Sequence, residues 1–153
     1  MKARFRKSFH RSLDSKGRLM LPPEYRDIVY AASSSGSLVF TGYDECIVAY
    51  TMPGWEAFEE KMDQLQNTSK VFRDFYRQTV GRAEELELDP QGRVRISQAL
   101  MRYAGLSKDV VLVGQGRKFN IWDTQRFEGL KIEDAALDLV INELAQRGID
   151  FSL

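Results

Sequence analysis

The sequence predicts an α+β fold that is mainly β, an internally duplicated β-barrel with flanking helices. "LDSKGRLMLP" at 13–22 and "LDPQGRVRIS" at 88–97 repeat one phrase. A short helical pattern and two apolar runs about a glycine follow each copy. A chain of 153 residues, 43% hydrophobic and 11% aromatic, can also bury a core, so disorder is not expected.

Shifted by 75 positions, the chain lays Leu13 on Leu88, Asp14 on Asp89, Gly17 on Gly92, Arg18 on Arg93 and Leu21 on Ile96. Farther on the offset becomes 72, where Val39 meets Val111, Gly42 meets Gly114 and Tyr50 meets Trp122. The three-residue difference is expected in the polar loop "ASSSGS", 32–37. The organisation read from this is a first barrel repeat at 1–54, bridging helices at 55–81, a second repeat at 82–130 and a C-terminal helix and tail at 131–153. The repeats form one pseudo-symmetric domain.

Alternation over 3–13 predicts a strand with Ala3, Phe5, Phe9 and Leu13 inward and Lys2, Arg4, Arg6, Ser8, His10 and Ser12 on a basic outer face. Prolines open a helix at "PPEYRDIVYA", while Ser97 caps and Gly105 stops its counterpart "SQALMRYAGL". "SLVFTGYDECIVAY" and "DVVLVGQGRKFNIW" each read as a hairpin about a Gly-containing turn, and Asp123 caps the helix after the second. In the bridging helices Trp55, Phe58, Met62 and Leu65, then Phe72, Phe75, Tyr76 and Val80, are read as core. "EDAALDLVINELAQRG" reads as an amphipathic helix with Arg147 in its last turn and Gly148 as its stop, packing on its own barrel or on a neighbour.

The repeated turn carries the chemistry. In "DPQG" Asp89 takes the first position of a type I turn, Pro90 the second and Gly92 the fourth, and "DSKG" follows it without the proline. The aspartate accepts from turn N–H groups and the glycine takes a positive φ, so the next residue, Arg18 or Arg93, stands at a fixed angle. The bland reading is a turn stapled by an exposed ion pair, worth about 0–1 kcal/mol. Duplication and the basic strand favour a functional one. A pre-oriented arginine can bond guanine O6 and N7 or a phosphate, and a two-stranded ribbon fits the major groove. Lys16 at one turn tip would contact phosphate, and Gln91 at the other a phosphate or base edge.

Charge points the same way. The net charge is zero, unlike a simple basic nucleic-acid binder, yet residues 1–18 hold seven Lys and Arg against Asp14 alone. That end carries +6 and the remainder −6, which suits a polyanionic partner met by one face. Arg4, Arg6 and Lys7 are therefore candidate phosphate contacts.

"FRKSFHRSLDSKGRLMLP" and "LDPQGRVRIS", with "YAGLSKDVVLVGQGRKFNIWD" after the second, resemble the MraZ family of bacterial transcriptional regulators over roughly residues 5–130. The resemblance implies an AbrB-like swapped-hairpin barrel whose doubled Asp-x-x-x-Arg motif falls on Asp14, Arg18, Asp89 and Arg93. It implies a DNA-binding repressor acting near the operon for cell division and wall synthesis, assembled as a homo-oligomeric ring and associated with the nucleoid. The family's opening Phe-Arg-Gly reads Phe5-Arg6-Lys7 here, so the first strand is expected to start differently. Ser97 stands where proline is common and Met101 where the first copy has Arg26, so weaker binding by the second hairpin is expected.

Other chemistry finds little support. His10 lies in the basic strand and Cys46 in an apolar one, which suits neither a nucleophile nor a zinc set, and no cofactor or metal is expected. A single cysteine allows no internal disulfide, fitting a reducing cytosol. "VVLVGQG" imitates a dinucleotide fingerprint, but Phe119 occupies the third glycine position and a strand pattern follows. The acidic "EELELD", 84–89, reads as a solvated strand edge. No apolar run reaches the roughly 20 residues that cross a bilayer, and "MKARFRKSFHRS" lacks an apolar signal core, so a cytoplasmic protein is expected, with no membrane partner. DNA binding by a homo-oligomer leads. The alternative is an antitoxin-like or scaffold interaction module docking through Ile149, Phe151 and Leu153, with an unrecognised enzyme a distant third.

Overall fold

The computed structural model describes residues 3–151. Lys2 of the basic face and Leu153 of the apolar tail lie outside the described residues. The first repeat runs β1 (Ser8–Ser12), β2 (Arg18–Met20), α1 (Pro23–Ala32), β3 (Ser37–Tyr43), β4 (Cys46–Thr51), α2 (Met52–Asp63) and α3 (Lys70–Gly81). The second repeats that order as β5 (Glu84–Glu87), β6 (Arg93–Arg95), α4 (Gln98–Ala104), β7 (Asp109–Gly114), β8 (Lys118–Asp123), α5 (Thr124–Glu128) and α6 (Asp134–Gln146).

The strands form a six-stranded antiparallel sheet, β1-β7-β8-β4-β3-β5, and a separate two-stranded ladder, β2-β6. Exchanging the repeats turns the first order into its own reverse and leaves the second unchanged. The duplication is thus interleaved, with β1 on β7 and β5 on β3 across the repeats. The expected closed barrel is not formed by these ladders. β1 and β5 are the edges of the larger sheet, because each turn at 14–17 and 89–92 diverts its chain into the smaller ladder.

Between the two sheets lies the core, with Leu19, Leu21, Val94, Ile96, Phe40 and Ile121 fully or nearly fully buried. Phe5, Tyr25 and Phe119 form its aromatic centre, with centroids 4.9–5.0 Å apart. The Tyr25 hydroxyl donates to the carbonyls of Arg6 and Lys7, at 3.0 and 2.9 Å.

Several expectations change. The first strand is not continuous over 3–13. Phe5 bridges Gly116, the chain breaks where Lys7 takes φ +70°, and β1 resumes in the same register at Ser8. Of the residues expected inward, Phe5 and Leu13 are buried and Phe9 packs on the core, but Ala3 is exposed, because it precedes the bridge at Phe5 and has no strand to hold it against the core. The three-residue insertion is not in the 32–37 loop. It lengthens α1 to 10 residues against 7 in α4, and both following loops are equally long. In the first hairpin the turn is Asp44–Glu45, with φ +56° and +67°, a two-residue turn of the primed type that twisted strands favour. Gly42 instead lies within β3, where an added Cβ would come 2.5 Å from the Tyr103 ring. The second hairpin does turn through Gly116, and no helix follows it as a dinucleotide site requires.

Helix signals hold well. Ser97 accepts from Leu100 N–H at 3.2 Å, and Gly105 ends α4 in the left-handed region. Asp123 caps α5 and also accepts from Ser107 N–H and Oγ, at 3.1 and 2.7 Å, bonds that hold its carboxyl below the usual range. The bridging helices are less buried than expected. Trp55 is buried against Tyr50 and Phe58, but Leu65 is 52% exposed and Phe75 36%, because α2 and α3 cover the outside of β3 and β4 and not the core between the sheets. α6 ends near the expected stop, with Arg147 as its C-cap. It is not buried against the sheets: no residue of α6 is buried and Leu139 is 70% exposed. No described helix is long and apolar enough to cross a membrane.

Candidate nucleic-acid interface

The two Asp-x-x-Gly-Arg turns are built alike. Gly17 and Gly92 N–H donate to the carbonyls of Asp14 and Asp89 at 3.0 and 2.9 Å, and both glycines have positive φ, +75° and +82°. Asp14 Oδ1 accepts from the N–H groups of Lys16 and Arg18, each at 2.9 Å, and its Oδ2 from Arg18 Nε at 2.5 Å. Asp89 does the same with Gln91 and Arg93 N–H, at 2.9 and 2.8 Å, and with Arg93 Nε at 2.8 Å. The Arg18 N–H is the main reason the Asp14 carboxyl sits low, at about 2, and Arg93 N–H leads for Asp89. Each aspartate thus fixes its arginine at Nε, and among the described residues the Nη groups take no partner.

The ladder brings the turns together. Arg18 pairs with Arg95, Leu19 with Val94 and Met20 with Arg93. Leu19 and Val94 point into the core, so Arg18, Met20, Arg93 and Arg95 share the opposite face. The ladder extends at both ends through the other repeat's turn, with Leu21 N–H donating to Gly92 C=O and Ile96 N–H to Gly17 C=O, at 3.2 and 2.9 Å. The tips, exposed Lys16 and Gln91, therefore stand at opposite ends of one ribbon.

The remaining cations are arranged differently. Lys7 ion-pairs at 3.1 Å with Glu24 in the first turn of α1. Arg4 is exposed over the β7–β8 turn, where its Nη2 would be 2.5 Å from a Cβ on Gly116, and Arg6 is exposed on the other side of the buried Phe5 in sequence. None of the three lies on the β2–β6 ladder.

Two arginines were missed. Arg95 is exposed and directly opposes Arg18, a like-charge pair that costs a sheet roughly 0.2–1 kcal/mol, and the alternation in "RVRI" was the available signal. Arg26 of α1 lies over Gly92, in the other repeat's turn. Its counterpart Met101 lies over Gly17, with Sδ 3.5 Å from a Cβ there. The substitution expected to weaken the second hairpin therefore touches the first, and no single-repeat reading could place it.

Cys46 is buried, its Sγ donates to Tyr43 C=O at 3.3 Å, and burial pushes the thiol up to about 12. His10 is exposed, and no described cluster of His, Cys, Asp and Glu could hold a metal.

A family model described as "MraZ protein, putative antitoxin-like" matches residues 5–78 and again 80–151. The chain belongs to the MraZ family. It is 55% identical over 147 residues to the "Transcriptional regulator MraZ" of Nitratidesulfovibrio vulgaris strain Hildenborough, covering 96% of this chain and 97% of that one. The protein of the same name from strain Miyazaki F is 54% identical, covering 97% and 99%, and that of Nitrosomonas europaea 40%, covering 86% and 88%. The MraZ match extends past residue 130, where the resemblance read from sequence stops, and takes in α6. MraZ is a non-enzymatic family.

Proposed function

We propose that the chain is a sequence-specific DNA-binding transcription regulator that reads repeated promoter sites with the arginines of its two turns. The observation that carries this is the shared ribbon, with Arg18, Arg93 and Arg95 on one face and two arginines locked at Nε by their own aspartates. Arg18 and Arg93 are diagonal neighbours on the ladder, roughly 7–8 Å apart at Cα, about two base-pair steps of B-DNA. In this reading the Nη groups bond guanine O6 and N7 or adjacent phosphates, Lys16 and Gln91 flank them, and Arg4, Arg6 and Lys7 add phosphate contacts. The two repeats act as one pseudo-symmetric swapped-hairpin unit of the AbrB-like kind, with its strands in two sheets and not in a closed barrel.

A net-neutral monomer binds weakly, so the proposal includes a homo-oligomeric ring whose linked ribbons raise avidity on the order of 10²–10⁴ on repeated sites. Repression at the division and cell-wall operon, on the nucleoid of the cytoplasm, completes the reading. The exposed apolar residues Leu137, Leu139 and Val140 of α6, together with the antitoxin-like description of the family, favour a second reading as a protein-interaction module.

The test is binding to a labelled fragment of the protein's own upstream region and to a scrambled one, at two salt concentrations. The double Arg18→Ala, Arg93→Ala variant runs alongside. The expected result is preferential, salt-sensitive binding that falls by about 10- to 100-fold or more in a variant that stays folded and assembled. Arg4→Ala weakens both fragments alike. A double variant that unfolds would reduce the arginines to turn staples, and absence of binding at low salt would move the reading to the protein-interaction module.

A further inference from the structure

Arg26 differs from every other cation of the ribbon region. It belongs to α1 of the first repeat but lies over the turn of the second, where a Cβ on Gly92 would come 2.4 Å from its Cδ, 2.5 Å from Nη1 and 3.1 Å from Nε. Its Nε is buried without a hydrogen-bond partner. Its guanidinium forms no ion pair among the described residues: Asp89 is engaged by Arg93, and Glu24 by Lys7. Burying the Nε donor in this way is unfavourable, and it leaves the Nη groups, accessible and without a hydrogen-bond partner among the described residues, as the part of the guanidinium that a ligand from outside the chain can reach.

The duplication supplies an internal control. At the symmetric position Met101 covers Gly17 with an uncharged side chain of similar length. Covering the turn glycine therefore needs no charge. The guanidinium at 26 is surplus to packing, and it lies over Gly92, whose chain neighbours Gln91 and Arg93 have their backbone N–H groups already held by Asp89.

We propose that Arg26 completes a phosphodiester-binding cradle on the second turn, holding one DNA phosphate beside Arg93, and that the first turn has no such cradle. This rests on the DNA-binding reading and adds a contact to it. The ribbon is then unequal: its second-turn end is the stronger anchor, the reverse of what the substitution of Met101 for arginine suggests when each repeat is read alone.

The experiment compares wild type, Arg26→Met, Arg26→Lys and Arg18→Ala in equilibrium binding to the upstream fragment across a salt series, with urea unfolding of each. Arg26→Met copies the covering already present in the other repeat, so the fold should persist. The expected loss is roughly eightfold at 0.1 M salt, with the log–log salt slope shallower by about 0.9, the signature of one phosphate contact. Arg26→Lys should recover most of the slope. An unchanged slope in Arg26→Met, while Arg18→Ala still weakens binding, would overturn the cradle and leave the DNA reading standing. Wild type that fails to bind DNA at low salt would overturn both. A Met variant that loses stability with its slope intact would make Arg26 a packing residue only.

Discussion

Lys7 holds φ +70° at the position where the family pattern places glycine. An L-residue there costs about 1–2 kcal/mol, and the Tyr25 hydroxyl bond to its carbonyl helps to pin it. Its exposed ion pair with Glu24 returns about 0–1 kcal/mol. Lys7→Gly should therefore raise stability by up to about 1 kcal/mol in urea unfolding; a loss of that size would mean the ion pair outweighs the strain. The turn aspartates give a prediction in pH. Asp14 has its carboxyl lowered from 3.8 to about 2, so its contribution to the folded state is complete above about pH 4 and is lost as pH falls toward 2. Carboxyl-carbon NMR should find its midpoint near 2, whereas a midpoint near 3.8 would mean the aspartate does not hold its arginine. These roles were legible from the Asp-x-x-Gly-Arg spacing, since turn chemistry is local. Arg26 was not legible, because its meaning depends on Gly92, 66 positions away in the chain.

Elements divide along the same line between local and distant causes. Caps at Ser97 and Asp123 were readable because a helix terminus is satisfied by its own neighbours. The insertion went to α1 and not to the Ser-rich loop because three residues add nearly a whole helical turn, which lengthens the helix while keeping its buried face in phase. Gly42 misled for another reason: glycine marks both tight turns and close approaches, and here Tyr103 takes its space. The real turn, Asp44–Glu45, holds two non-glycine residues at positive φ. Replacing it by Asn-Gly, the pair that primed turns prefer, should stabilise the protein by about 1 kcal/mol in urea unfolding. No change would place the hairpin's register in its strands and not in its turn.

At the scale of the whole molecule, the repeat was visible in the sequence but its interleaving was not, because self-similarity says that two units exist and nothing about which strands pair. Four of the six named ladders join one repeat to the other, and only β3–β4 and β7–β8 lie within one. An isolated two-stranded hairpin is marginal in water, so neither half retains enough pairing to stand alone. The arginine ribbon exists only when both halves are folded, since each of its strands comes from a different repeat. Unfolding should then be a single cooperative event in both halves. Trp55 reports on the first repeat and Trp122 on the second, and both are buried. In Trp122→Phe and Trp55→Phe variants, each left with one tryptophan, the fluorescence transition in urea should coincide with that variant's far-UV circular dichroism in midpoint and slope. A fluorescence transition that separates from the dichroism in either variant would mean that its repeat unfolds on its own, and the ribbon could then be lost while half the molecule remained folded.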